Sequence, residues 1–210
     1  MNNIICAAIV FCTIGLTGLS ATADTYAIEK QTTMGLTFGQ TYEEAQAAGL
    51  QATKLETDNS LTTYKVTKLP QQPSSTDVAM VVFDATFGFQ KLVWHSKNIE
   101  ADVSGISGKS QYDSIKTVLE KKYGPPAKIL ERSGLKLFQE YDEFYQCLAY
   151  PGCGYWFSYW EGDFGLTSLG IETQGLRGEG WLKVVYEGPK WATIVDQRES
   201  KTEREDAEAF

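Results

Sequence analysis

The sequence predicts an α+β fold: two helix-plus-antiparallel-sheet passes in one compact domain, after a cleaved signal peptide. Three observations support this. Ile4–Leu19 is an apolar run without a charged side chain, closed by Ser20-Ala21-Thr22-Ala23. Two helix starts, at Thr41 and Ser110, are each followed by Thr-, Val- and aromatic-rich stretches broken by glycine, the pattern of short strands and turns. A hydrophobic content of 42% and an aromatic content of 12% are those of a chain that buries a core.

The N-terminal run is shorter than the about 20 residues a permanent span needs. Ala21 and Ala23 supply the small-x-small pattern of signal cleavage. Cleavage after Ala23 is expected, giving a periplasmic or secreted product. The alternative is a retained anchor, since Met1-Asn2-Asn3 adds no basic side chain. Cys6 and Cys12 lack the small residues that precede a lipid-modified cysteine. No second apolar run of membrane length follows, so stable insertion after cleavage is not expected.

The first pass spans residues 24–107. Thr41 and Glu44 form a capping box for a helix that stops at Gly49. Strands are expected at Leu61–Leu69, Asp77–Ala85 and Gln90–Ser96, with a polar loop at Pro70–Ser75. Val78-Ala79-Met80-Val81-Val82-Phe83 reads as buried on both faces. The second pass spans 108–195. Ser110 is the expected N-cap, with Asp113 at N3. Tyr112, Ile115, Val118 and Leu119 form the buried stripe, and Lys121 and Lys122 suit the helix C-terminus before Gly124-Pro125-Pro126. Strands are expected at Ala127–Glu131, Leu135–Asp142, Phe144–Tyr150, Tyr155–Glu161, Leu166–Thr173 and Trp181–Glu187. The charged tail, 196–210, is either a docked amphipathic helix or a frayed end.

Removal of the signal leaves two cysteines, Cys147 and Cys153, around Pro151-Gly152. In an oxidising compartment this even pair reads as a disulfide closing a turn. The five-residue spacing does not suit a redox motif, and two thiols are too few for a metal.

The formal net charge is −8, with nine Lys/Arg against fifteen Asp/Glu in residues 123–210. Such a surface repels phosphate backbones and anionic lipid, which disfavours nucleic acid as a partner. It suits a cationic protein instead. His95 is the single histidine, beside Trp94, and a surface or satisfied strand-end residue is the expected reading rather than a relay member. Gly105-Ile106-Ser107-Gly108-Lys109-Ser110 lacks the first glycine of a phosphate loop, since Val103 stands there. Glu140, Asp142, Glu143, Glu161 and Asp163 invite a comparison with glycosidase acid pairs, which need carboxylates about 5 Å or about 6.5–9.5 Å apart. Glu161 with Asp163 falls short of a calcium shell. No catalytic residue, cofactor or metal site is assigned.

The sharper signal is aromatic. In Tyr155-Trp156-Phe157-Ser158-Tyr159-Trp160, strand alternation places Tyr155, Phe157 and Tyr159 on one face and Trp156, Ser158 and Trp160 on the other. Either helices cover the second face, or it is exposed and binds. The candidate binding residues are Tyr155, Trp156, Tyr159 and Trp160. With neighbouring acids they would grip a cationic protein; the same rings could stack on sugars.

Gly35-Leu36-Thr37-Phe38-Gly39-Gln40-Thr41-Tyr42-Glu43-Glu44 resembles the helix start of the small α+β units in SmpA/OmlA-type outer-membrane assembly lipoproteins. It is also similar to that of the secreted β-lactamase-inhibitory proteins, which carry two helix-plus-sheet repeats. The resemblance covers about ten residues and the helix-then-meander order. Gln40 replaces the usual Met, and the lipid-bearing cysteine is missing. The resemblance implies a non-enzymatic fold whose sheet face docks a protein. The expected function is an exported, non-catalytic binding protein of the cell envelope, of inhibitor, immunity or accessory type. The alternative is a glycan or peptidoglycan binder, or a glycan hydrolase.

Overall fold

The computed structural model describes residues 31–209. The expected signal and its cleavage after Ala23 lie outside them. The described chain opens with two short paired strands, β1 (Thr32–Thr33) and β2 (Leu36–Thr37). Helix α1 (Tyr42–Ala47) starts at Thr41, whose Oγ1 accepts from the Glu44 amide at 3.2 Å while Glu44 Oε2 accepts from the Thr41 amide at 2.7 Å. This is the expected capping box.

A four-strand run follows: β3 (Gln51–Asp58), β4 (Leu61–Lys68), β5 (Thr76–Asp84) and β6 (Gly88–Ser96). Helix α2 (Ile106–Tyr123) leads into β7 (Lys128–Arg132), a short helix α3 (Phe144–Ala149), then β8 (Tyr155–Gly162), β9 (Gly165–Glu172) and β10 (Trp181–Glu187). Helix α4 (Trp191–Ala209) follows. All eight strands join one antiparallel sheet in the order β3-β4-β5-β6-β10-β9-β8-β7. The mixed helix and antiparallel sheet make an α+β fold.

One face of the sheet carries the core. Leu92, Trp94, Leu169, Leu182 and Val184 are buried there with Tyr112 and Leu119 of α2. Tyr42 of α1 stacks on Tyr64 at 4.1 Å and meets Phe83 edge-on at 5.4 Å. Along Lys91–Ser96 of β6, Leu166–Ile171 of β9 and all of β10, every second residue is buried on this side, while the residues between are half-buried.

The expectations fail in five places. Strand β3 is not among the expected strands because Gln51-Ala52-Thr53-Lys54-Leu55-Glu56-Thr57-Asp58 is an exposed edge strand with little apolar alternation. Residues 135–142 form no strand, and Phe144–Ala149 is helical. Phe144, Tyr145 and Cys147 are buried together on one helical turn, whereas in a strand the adjacent Phe144 and Tyr145 would face opposite sides. Helix α2 begins at Ile106, not after Ser110. Its N-terminus is held from upstream by Asp102, whose Oδ1 accepts from the Ser107 amide at 3.1 Å and Oδ2 from the Gly108 amide at 2.8 Å. Val118, expected in the buried stripe, is 63% exposed. The tail is helical, and its helix begins at Trp191 rather than 196. The expected disulfide is present: Cys147 and Cys153 are bonded with Cα atoms 5.1 Å apart.

Candidate functional site

The four candidate aromatics divide between two faces. Trp160 is 1% exposed, and its indole N–H donates to the Gly124 carbonyl at 2.9 Å. Beside it the Ser158 hydroxyl bonds the Tyr112 hydroxyl of α2 at 2.7 Å. Trp156, on the same face, meets Phe144 edge-on at 5.3 Å. The Lys109 ammonium lies 4.1 Å from the Phe144 ring centre and 4.8 Å from that of Trp156, a cation–π contact on both rings. Burial lowers the Lys109 pKa, and the Asp102 carboxylate opposes that shift. Trp160 therefore leaves the candidate face for the core, and Trp156 belongs to the helix-covered side. A helix turn supplied by residues 106–123 covers what the strand pattern alone left open.

Tyr155 and Tyr159 point the other way, with Phe157 between them. That second face is uncovered over much of its area. Strand pairing aligns its side chains in rows, because directly opposed residues of antiparallel strands share a face. One row runs Lys65, Met80, Val93, Val185, Ser168, Tyr159, Lys128. The next runs Val78, His95, Lys183, Gly170, Phe157, Leu130. Val78, Met80, Val93, Val185, Phe157 and Tyr159 are all half-buried, while Tyr155 is 45% exposed. Gly170 leaves a notch in this surface, part of a cavity of about 390 Å³ lined by Tyr155, Phe157, Ser168, Lys183 and Val185. A Cβ at Gly170 would make only ordinary contact, at 3.4 Å from Phe157 Cβ. The glycine is thus not demanded by packing.

Comparison with known proteins returned no match to a family model, to a curated protein or to a solved structure.

Helix α4 limits the free area. Trp191, Ile194, Val195 and Arg198 form its inward stripe, at the spacing of one helix face. Trp191, Val195 and Arg198 line a cleft with Leu61, Thr63 and Val82 over one end of the open face. Arg198 pairs with the Asp58 carboxylate, and Lys201 Nζ donates to Asn59 Oδ1 at 2.7 Å. Lys91 bonds Glu187 at 2.7 Å beneath the Trp191 ring, 4.5 Å from its centre. The end of the sheet bearing the β3–β4 and β8–β9 turns is therefore occupied, and the rows above it are free.

The acids singled out in the sequence do not converge. Glu140, Asp142 and Glu143 precede α3, where Asp142 pairs with Arg177. Glu161 and Asp163 sit at the β8–β9 turn. Glu161 lies near the end of β8, whereas Glu140, Asp142 and Glu143 lie before α3, ahead of that strand. Glu161, Asp163 and Asp196 do border a cleft of about 700 Å³ with Trp191, but each of the three is solvent-exposed. His95 lies on the open face. Burial and the Lys183 charge lower its pKa, against the Glu172 and Asp77 carboxylates, so its imidazole is neutral at neutral pH. Its Nε2 and the Trp181 indole N–H are buried without a hydrogen-bond partner. Among the described residues, no group of three His, Cys, Asp or Glu side chains is placed to hold a metal ion.

Sequence reasoning missed the aliphatic centre of the open face, Met80, Val93 and Val185. The signal was present in the alternation of Val78-Ala79-Met80-Val81-Val82-Phe83. Ala79, Val81 and Phe83 are buried and the other three are half-buried, so a run read as doubly buried has one covered face and one open.

Proposed function

We propose that this chain is an exported, non-catalytic binding protein that docks a protein partner on the open face of its sheet. The observation carrying the reading is that free face. Aliphatic and aromatic side chains of β5, β6, β10 and β8 lie on it without a covering layer, with Ser168 and Gly170 of β9 between them. Contiguous apolar area of this kind on a folded domain is the usual mark of an interaction surface. Rows on a flat sheet offer rings and aliphatics fixed by backbone pairing, at little entropic cost on binding.

Two further features support the reading. The order α1 then β3–β6, and α2 then β7–β10 with α3 between β7 and β8, supports a reading as two passes that meet where β6 pairs with β10. This is the architecture implied by the resemblance to the SmpA/OmlA-type and β-lactamase-inhibitory units. The Cys147–Cys153 disulfide suits an oxidising compartment, and among the described residues no helix is long and apolar enough to cross a membrane. Both are compatible with export to the periplasm or medium.

The test is capture of a partner by the wild-type protein and by a Val93→Asp variant, which charges the centre of the face without touching the core. Recovery of the same partner by wild type alone supports the reading. A partner held equally by both proteins, or none recovered at low salt, sinks it. The second reading is a glycan binder. It is favoured by the column Tyr155, Phe157, Tyr159, whose rings repeat about every 7 Å along β8, and purified cell wall retained through Phe157 would support it.

A further inference from the structure

We propose that the free part of the open face selects an acidic protein surface, one with an apolar centre flanked by carboxylates. This rests on the docking face argued above and reverses the partner charge expected from the whole chain. The net charge is −8, yet the uncovered rows carry Lys65, Lys128, Arg132 and Lys183 against two acids, Glu172 and, beside His95, Asp77. Lys128 and Arg132 belong to this face because they pair with Tyr159 and Tyr155. Lys65 belongs to it through its pairing with Met80. Glu172 is engaged by Lys183 at 3.4 Å. Among the described residues, Lys65, Lys128 and Arg132 have no carboxylate within salt-bridge distance, and all three are exposed.

The negative charge lies elsewhere. It gathers on the outer part of α4, at the start of α1, and at the residues before α3. The molecule is therefore acidic around a basic, apolar face. The local field of such a face orients carboxylates brought against it, although the molecule as a whole is acidic. The apolar centre decides between partner classes. Met80, Val93 and Val185 offer nothing to an anionic polysaccharide, whereas aliphatic and aromatic centres with a charged rim are the anatomy of protein interfaces. The geometry adds a dimension. Lys65 and Lys128 lie in the same row, six strand steps apart, about 30 Å along the sheet at the usual strand spacing. The partner should present carboxylates at a similar separation.

The test uses poly-L-glutamate as the probe, with heparin as the anionic-glycan arm. Wild type is compared with a Lys65→Glu, Lys128→Glu, Arg132→Glu variant at low and moderate salt. All three positions are exposed, and unchanged circular dichroism and melting check the fold. The expected result is binding of wild type to poly-L-glutamate, despite its net charge, with a loss of roughly ten-fold or more in association rate for the variant. Binding to heparin alone, binding to neither, or binding that the variant keeps overturns the proposal. If a partner is captured in a Val93-dependent manner and the charge reversal leaves that capture unchanged or strengthens it, the docking face stands and the acidic-partner inference fails.

Discussion

Asp102 shows how one buried side chain can replace several expected ones. It is 7% exposed and accepts from the Ser107 and Gly108 amides and from the Tyr145 hydroxyl, the last at 2.8 Å. One carboxylate thus caps α2 and ties α3 to it, and burial with this contact raises the Tyr145 pKa far out of the working range. Asp102→Ala removes the cap and strands a buried hydroxyl, so we expect a loss of about 2–4 kcal/mol. Urea denaturation reads that loss directly, and Asp102→Asn should lose less because an acceptor remains. The sequence pointed to Ser110 because a hydroxyl before an apolar run is the common cap. A cap that reaches forward from four residues before the helix has no local signature. Trp156 and Trp160 teach a related lesson. Alternation correctly placed them on one face, but which face the helices cover depends on contacts such as Tyr112 with Ser158, which span 46 positions in sequence.

At the scale of elements, legibility followed burial. Strand β10 matched its expected bounds because Leu182, Val184 and Tyr186 alternate cleanly with half-buried neighbours. Helix α1 was legible from a local capping box. Strand β3 was not, because an edge strand exposed along most of its length imposes little apolar pattern. Helix α3 was misread because six residues are too few to separate the two periods. Helix α4 divides in two. Trp191, Ile194, Val195 and Arg198 dock, while residues 199–208 are all exposed. Truncation after Glu199 should therefore shift the melting temperature by less than about 2 °C. By contrast, Ile194→Ala, at a position 2% exposed, should cost about 2–4 kcal/mol and free the Leu61 end of the open face. Equal effects of the two changes would contradict this division of the helix.

At the scale of the molecule, the sheet separates stability from interaction. One face holds the buried aromatics under α1 and α2, and the other presents half-buried rows above α4. The α+β class was readable from caps, strand patterns and glycine turns. The pairing of β6 with β10, which makes one eight-stranded sheet, was not, because no local signal links partners 88 or more residues apart. That pairing also creates the candidate site, since it sets Val93 beside Val185 and His95 beside Lys183. The charge of the face was hidden for the same reason. Lys65, Lys128 and Lys183 are scattered through an acidic sequence and meet only on the folded sheet. The account's central claim is that partners meet this face. The most direct measurement is site-specific photo-crosslinking in the cells that make the protein, from Tyr159 on the open face and from Val118 on the exposed side of α2. We expect adducts from Tyr159 and none from Val118; adducts from Val118 alone would contradict the account.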